Sequence, residues 1–394
     1  MNPPTPERGR QMNAPRPLAN SGYSRLGVRR VVNAADTYTI LGGSRLPREV
    51  VEAMSEAAEH HVEINELLKA IGLRIAKLTG TEAALVVNGA AAGLAVAAAA
   101  CIAGTDPGEI DALPASSPAR RQIITLRCQR NPYDRALLQG GGQLVEVGFA
   151  DSTPPWQLER AIDENTAAIV YYAGIQFERY ALPLEEVVRI AKPHSVPVIV
   201  DAAAQIPPVS NLSAYTGAGA DLVLFSGGKG LRGPQSSGLI VGRRELIDAC
   251  AANSYPNHSV GRAMKTNKES AMGLLAAIER AMGLDWDLEY GRWTSLLEGY
   301  AAVLGSIAGV RAWIVPTGRL GQTCPRLFFE WTREVAADAG TVLGTLAGQN
   351  PSVIIGADDP RSRTAYINPY SVLPDEEQYL IEAVSQVLQQ GEFS

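Results

Sequence analysis

The stretch Ala220-Asp-Leu-Val-Leu-Phe-Ser-Gly-Gly-Lys-Gly-Leu-Arg-Gly-Pro234 decides how the rest of the chain reads. An apolar run, Leu222 to Phe225, predicts a buried strand, and Ser226 with two glycines predicts a tight turn after it. Lys229 stands in that turn between two glycines, although only six of the 35 basic residues are lysines. A chain that uses arginine for surface charge and places a lysine here points to chemistry arginine cannot do. A deprotonated lysine amine attacks carbonyls and forms a Schiff base. The competing reading is an ordinary loop lysine in a glycine turn.

Working outward, Val196-Pro-Val-Ile-Val200 reads as another buried strand, with Asp201 at its end and Ala-Ala-Ala-Gln205 following. A carboxylate at the end of a core strand is costly unless it is paired or faces a site. The alternative is a helix N-cap, for which Asp is well suited. Lys229 follows one predicted helix and one predicted strand later, which puts both residues at one edge of a parallel sheet. Further upstream, Ala83-Ala-Leu-Val-Val-Asn-Gly-Ala-Ala-Ala-Gly93 reads as a strand, a tight turn and a helix start made of small residues. Such a start offers free backbone N–H groups and the positive end of the helix dipole, which suits a phosphate. Small residues also allow close helix–sheet packing. The pattern is neither a Walker motif nor GxGxxG.

Buried carboxylate, lysine and phosphate-ready helix start together are what pyridoxal 5'-phosphate requires. The lysine bonds its aldehyde, the aspartate keeps the pyridine nitrogen protonated, and the helix terminus with Ser226 holds the phosphate.

The remaining pattern agrees. Strands expected at 122–126, 144–147, 167–172, 197–200, 220–225 and 239–241 alternate with helices at 155–162 and 184–192. They lack period-2 alternation, as strands buried on both faces do. The expected fold is a doubly wound α/β domain with a mostly parallel seven-stranded sheet, binding ligands beyond the strands' carboxyl ends. A small α+β C-terminal domain follows, with β-prone pieces at 312–315, 326–331 and 365–367. The expected division is a flexible arm over 1–30, a large domain over 31–266, with 31–45 able to join the small one, and a small domain over 267–394. Helices are expected from Pro47 to His61 and from Glu63 to Leu78, and a long helical stretch from Asn267 to Leu304.

Composition sets limits. The chain of 394 residues is 46% hydrophobic and 19% charged with net charge −6, so a dedicated nucleic-acid binder is disfavoured. Four cysteines at 101, 128, 250 and 324 form no CxxC pair, so neither a zinc site nor a disulfide framework is expected, and the compartment reads as the reducing cytoplasm. No secretory signal is read in the first thirty residues, and Ala83 to Gly104 reads as a buried helix after a turn and not as a membrane span.

On these motifs the chain resembles fold-type I pyridoxal phosphate enzymes, and among them the bacterial L-seryl-tRNA(Sec) selenium transferase-like family, which includes sugar-acid ammonia lyases. The resemblance spans most of the chain. It rests on Val32-Asn-Ala-Ala with Leu41-Gly-Gly-Ser, Gly89-Ala-Ala-Ala-Gly93, Arg130-Asn-Pro-Tyr-Asp134, Val200-Asp-Ala-Ala-Ala-Gln205, Gly261-Arg-Ala-Met-Lys-Thr-Asn-Lys-Glu269 and Ile367-Asn-Pro-Tyr. The most specific is Phe225-Ser-Gly-Gly-Lys-Gly-Leu-Arg-Gly-Pro-Gln235. The resemblance implies Lys229 as the Schiff-base lysine and Asp201 as the pyridinium partner. It implies Gly89, Ala90, Ala91 and Ser226 around the phosphate, with Gln205 and Gln129 at the ring. Arg262 and Lys265 resemble contacts to a phosphate or substrate anion, from the same subunit or a neighbouring one, because such enzymes are dimers or larger with interfacial sites. Departures from the family pattern are Asp36 and Asn88, and Gln129 where relatives place a ring-stacking histidine.

For the substrate carboxylate, Arg363 and Arg361 are candidates, then Arg45 and Arg232, each of which also reads as an ordinary surface arginine. His258 lies near the Arg262 loop in sequence, whereas His60 and His61 end a helix. Two reactions at Cα fit, both through a carbanion delocalised into the cofactor. One is oxygen-dependent oxidative decarboxylation of a β-hydroxy-α-amino acid of glycyl-nucleoside type to a carboxamide, as in a monooxygenase-decarboxylase branch resembling this family in nucleoside-antibiotic pathways. The other is β-elimination by an ammonia lyase acting on a sugar-derived amino acid. Selenium transfer is disfavoured, since the acidic chain lacks a tRNA-binding surface. A non-catalytic binding protein is disfavoured by the presence of both Lys229 and Asp201. No metal is expected.

Overall fold

The computed structural model describes residues 22–115, 120–335 and 337–389. The chain folds as two compact units. The larger comprises Thr37–Ser295 and Val315–Arg326, and the smaller comprises the residues up to Asp36, Leu296–Ile314 and the chain from Leu327 on. Strands are numbered along the chain: β1 Val31–Ala34, β2 Ala83–Val87, β3 Gln122–Leu126, β4 Gln143–Val147, β5 Thr166–Tyr172 and β6 Val198–Asp201, then β7 Leu222–Ser226, β8 Gly238–Gly242, β9 Val310–Val315, β10 Arg326–Trp331, β11 Ser352–Ile355 and β12 Thr364–Ile367.

The large unit is built on a seven-stranded sheet of order β2-β8-β7-β6-β5-β3-β4. Its neighbours β7, β6, β5, β3 and β4 pair in parallel, and β8 alone runs antiparallel to both β7 and β2. Adjacent residues of one strand enter opposite cores. Val223 and Phe225 pack with Val198, Val200 and Tyr171, while Leu222 and Leu224 pack with Ile199, Val170 and Ile240. Apart from the edge strand β4, the sheet is buried on both faces, as the uninterrupted Val and Ile runs predicted. The helix Ala90–Ala103 is apolar around its circumference and has ten buried residues, so its alanines fill space between elements and do not divide core from solvent. Among the described residues no helix is long and apolar enough to cross a membrane.

Three expected boundaries shift. The helix Lys268–Gly283, expected to open the small domain, buries Ala271, Leu274 and Ile278 in the large unit's core. A break at Leu284 separates it from the helix Trp286–Gly305, within which the unit boundary falls. Finally, the segment Val315–Arg326 groups with the large unit.

In the smaller unit β1 pairs in parallel with β11, a strand the sequence reading missed, and β12-β10-β9 form a second sheet. Val32, Leu304, Phe329, Val353 and Ile367 meet in its core. The expected flexible arm is partly anchored, because Arg29 donates through Nη1 to the carbonyls of Gly348 and Gln349 at 2.9 and 3.0 Å. Residues 1–21 of that expectation lie outside the described residues.

Candidate active site

The sheet brings the three predicted elements to one edge. Gly238 is in register with Val87 of β2 on one side and Ser226 of β7 on the other, while Asp201 ends β6 opposite Leu224. Beyond that edge lies a cavity of about 270 Å³. Asp201, Lys229, Ser226, Asn88, Gly89, Ala90 and Ala91 line it, so seven residues singled out in the sequence meet in one place. The lining also includes Thr37, Thr39, Gly43, Tyr133, Ala203, Gly228 and Gln235.

Asp201 is 8% exposed. Its Oδ1 accepts the Ala203 N–H at 2.9 Å, and no other group among the described residues bonds the carboxylate. Burial pushes its pKa above the ordinary carboxylate value; the Ala203 N–H and the Lys229 charge pull it back without reversing the shift. No helix starts here, since the next begins at Asn211, so the N-cap reading is excluded. The side chain of the half-buried Lys229 makes no hydrogen bond or ion pair among the described residues. The turn carrying it closes when Arg232 N–H bonds the Lys229 carbonyl at 2.9 Å. Arg232 sits at φ 57°, a left-handed conformation rare for a side-chain-bearing residue.

The helix Ala90–Ala103 begins from Gly89 at φ 94°, and no side chain caps it. Its first N–H groups are therefore available to an anion. A Cβ on Gly238 would lie 2.6 Å from the Gly89 carbonyl carbon and 3.0 Å from Ala90 N. Gly238→Ala is therefore expected to push the helix start off its position, weakening phosphate affinity about tenfold and costing roughly 1–3 kcal/mol of stability. Titration with pyridoxal phosphate and thermal melting of the variant check both effects.

The other expected residues lie outside the lining of this cavity. Gln129 does not reach the cavity. Fully buried, it donates to the Tyr172 carbonyl at 3.0 Å and accepts the Tyr172 N–H at 3.1 Å, acting as an extra rung at the end of β5. Gln205 also faces away, bonding the Ala173 carbonyl at 3.2 Å. Arg45 and Arg232 do not line the cavity. Arg262 and Lys265 are exposed and gather instead over the Tyr255 ring, 5.4 and 6.0 Å from its centroid. In the smaller unit, Arg361 pairs with Asp359 at 3.2 Å, and Arg363 is half-buried with its Nε unpartnered. Among the described residues, no cluster of His, Cys, Asp or Glu could hold a metal ion.

The sequence reading missed the polar segment from Thr37 to Gly43. It lies against the lysine turn: Ser44 N–H bonds the Gly228 carbonyl at 2.9 Å, and Gln235 Nε2 bonds the Thr39 carbonyl at 3.4 Å. Tyr133 was also missed, although it stands inside the quoted Arg130-Asn-Pro-Tyr-Asp134 motif.

These donors fit pyridoxal phosphate. Asp201 is a buried residue at the cavity with one carboxylate oxygen that takes no hydrogen bond among the described residues, as a ring-nitrogen partner needs; an amine without a side-chain partner among the described residues and an uncapped helix start complete the set.

A family model described as L-seryl-tRNA selenium transferase matches residues 31–291. The 5'-C-glycyluridine monooxygenase-decarboxylase of a Streptomyces species is 35% identical over 377 residues, covering 93% of this chain and 92% of that one. The D-glucosaminate-6-phosphate ammonia lyase of Salmonella typhimurium is 37% identical over 262 residues, 65% of this chain and 69% of the relative. A solved D-glucosaminate-6-phosphate ammonia-lyase matches with TM-score 0.85 at 29% identity, over 95% of this chain and 100% of that one.

Proposed function

Because the chain belongs to the L-seryl-tRNA selenium transferase family and is a fold-type I pyridoxal phosphate enzyme, we propose that it decarboxylates an amino acid with O2. The substrate is a β-hydroxy-α-amino acid of glycyl-nucleoside type, R–CH(NH2)–COOH, converted with one O2 into R–CO–NH2, CO2 and one water. The observation that carries action at Cα is the meeting of an unpartnered Asp201 oxygen and an unpartnered Lys229 amine in one cavity.

Pyridoxal phosphate, when bound, supplies an electron sink for the bond broken at Cα. Lys229 would hold the cofactor through Nζ, and its amine is placed to move a proton at the substrate Cα. Asp201 holds a proton on the ring nitrogen, and its burial keeps water from competing for that bond. Gly89, Ala90 and Ala91 take the phosphate on backbone N–H groups, with Ser226 beside them.

Two observations support the oxidative reading. Identity to the monooxygenase-decarboxylase extends over nearly all of both chains. Apart from Asp201 and Lys229, the lining side chains that can bind a ligand are uncharged: Thr37, Thr39, Asn88, Tyr133, Ser226 and Gln235. They suit a substrate whose side chain carries hydroxyls and no phosphate better than a sugar phosphate. The ammonia-lyase reading keeps support from the 37% identity to the Salmonella enzyme.

The working form in this reading is a cytoplasmic homodimer or larger assembly. Arg262 and Lys265, exposed and away from their own cavity, are then available to a neighbouring copy. A panel of β-hydroxy-α-amino acids offered with and without O2 separates the two reactions. Oxygen-dependent CO2 release with one O2 consumed per CO2 is the expected result. Ammonia and a keto acid formed under strict anaerobiosis would replace it with the lyase.

A further inference from the structure

In a parallel ladder, a residue that donates to one carbonyl of its neighbour accepts from the N–H two residues further along that neighbour. Between β5 and β6 the pattern starts with Ile169 N–H on the Pro197 carbonyl at 2.9 Å and reaches Ala173 N–H on the Asp201 carbonyl at 2.9 Å. The next rung of this pattern joins the Ala173 carbonyl to the Ala203 N–H, and here it is broken. Ala203 N–H turns to the Asp201 carboxylate, bonding Oδ1 at 2.9 Å. The Ala173 carbonyl, on a residue only 4% exposed, is taken by Gln205 Nε2 at 3.2 Å.

A buried carbonyl without a donor is costly, so in the absence of Gln205 the Ala203 N–H is the donor the ladder offers. The Gln205 amide is mounted to prevent that. Its backbone N–H bonds the Ala202 carbonyl at 3.0 Å, and its carbonyl accepts Asn211 Nδ2 at 2.7 Å. Gly174 leaves room for the amide, since a Cβ there would lie 2.7 Å from Gln205 Nε2. Ala203 is held on its other side by Ser226, whose N–H bonds the Ala203 carbonyl at 3.3 Å. Gln129 does a different job one residue earlier: past the last β3–β5 pair, Thr125 with Val170, it supplies both partners of the Tyr172 backbone.

On the reading that pyridoxal phosphate binds here, we propose that Gln205 is a positioning residue for Asp201. By taking the Ala173 carbonyl it leaves the Ala203 N–H to hold Oδ1, and the second carboxylate oxygen stays free for the ring nitrogen. Gln205 itself does not line the cavity.

Full-chain apo-protein reconstituted with pyridoxal 5'-phosphate carrying a heavy-isotope ring nitrogen tests this, because the NMR shift of that nitrogen reports its protonation. Gln205→Met keeps the side chain's length and removes the amide. Its ring nitrogen is expected to move toward the unprotonated shift at neutral pH, while turnover falls about tenfold with KM within about twofold of wild type. Gln129→Met is the structural comparison: it strips two bonds from Tyr172 and is expected to lower the melting temperature without moving the nitrogen shift. An unchanged nitrogen shift or an unchanged turnover in Gln205→Met would overturn the proposal. An equal move of the shift in Gln129→Met would also overturn it, because any loosening of the strand end would then suffice. If Gln205→Met does not fold, the wild-type apo-protein decides: its Ala203 amide proton is expected to titrate with the Asp201 carboxyl, and an amide indifferent to pH would overturn the proposal. Failure of the wild-type protein to take up the cofactor would instead overturn the cofactor reading, and this proposal with it.

Discussion

Lys229→Ala is expected to abolish turnover, by ~10⁴-fold or more, while leaving the protein folded. The side chain is half-buried and makes no hydrogen bond or ion pair among the described residues, so its removal breaks none of those bonds. The neighbouring glycines keep the turn: Gly227 N–H bonds the Ser237 carbonyl at 2.9 Å, and Gly233 N–H bonds the Gly227 carbonyl at 2.8 Å. The lost amine is the group that anchors the cofactor covalently and moves the proton. The variant therefore still binds pyridoxal phosphate through the Gly89–Ala91 start, but the cofactor leaves on gel filtration and the visible absorbance of the anchored form is missing. Spectra before and after desalting, with turnover, check this. Wild-type turnover in the variant would remove Lys229 from the mechanism.

Asp201→Asn is the second large effect, expected on the order of a thousandfold in turnover. An amide cannot hold a proton on the ring nitrogen as a carboxylate does. Stability moves the other way. Burial raises the Asp201 pKa in the folded apo-protein from its ordinary value of 3.8, so the folded state binds a proton more tightly than the unfolded chain. The apo-protein accordingly loses stability as pH rises from that ordinary value to the raised one, and the loss persists above it. Asp201→Asn lacks that loss, and its apo form is expected to melt at the same or a higher temperature at neutral pH. Melting of both apo-proteins across pH measures the difference. A variant that is both fully active and less stable would contradict both roles.

Much of the site was legible because its residues are anomalous where they stand. Lys229 interrupts a glycine turn in a lysine-poor chain, and Asp201 ends an apolar strand. The glycine and alanines at 89–91 leave a helix uncapped. Each anomaly is local, so a linear reading detects it. The strands were legible for the same reason, since continuous Val and Ile runs mark burial on both faces. What was not legible depends on where side chains turn. Gln129 and Tyr133 lie four residues apart, and nothing in composition says that the amide turns inward to the backbone of Tyr172 while the ring turns to the cavity. Thr37 and Thr39 follow a short strand in an irregular segment, and their place over the lysine turn is fixed by the long-range bond from Ser44 N–H to the Gly228 carbonyl. The small unit's first strand also escaped its partner, because β1 pairs with β11 from the far end of the chain.

The antiparallel β8 has a consequence for the order in which the protein becomes competent during synthesis. The helix start after β2 and the serine that ends β7 are made far apart in time, and in the sheet β8 joins the two strands that carry them. Until the residues through Gly242 have left the ribosome, only the packing of the helix Ala90–Ala103 on β7 holds the two halves of the phosphate cradle side by side. A nascent chain stalled between Lys229 and Gly242 carries the lysine without the strand that aligns the cradle, so holoenzyme formation is expected to follow completion of the sheet.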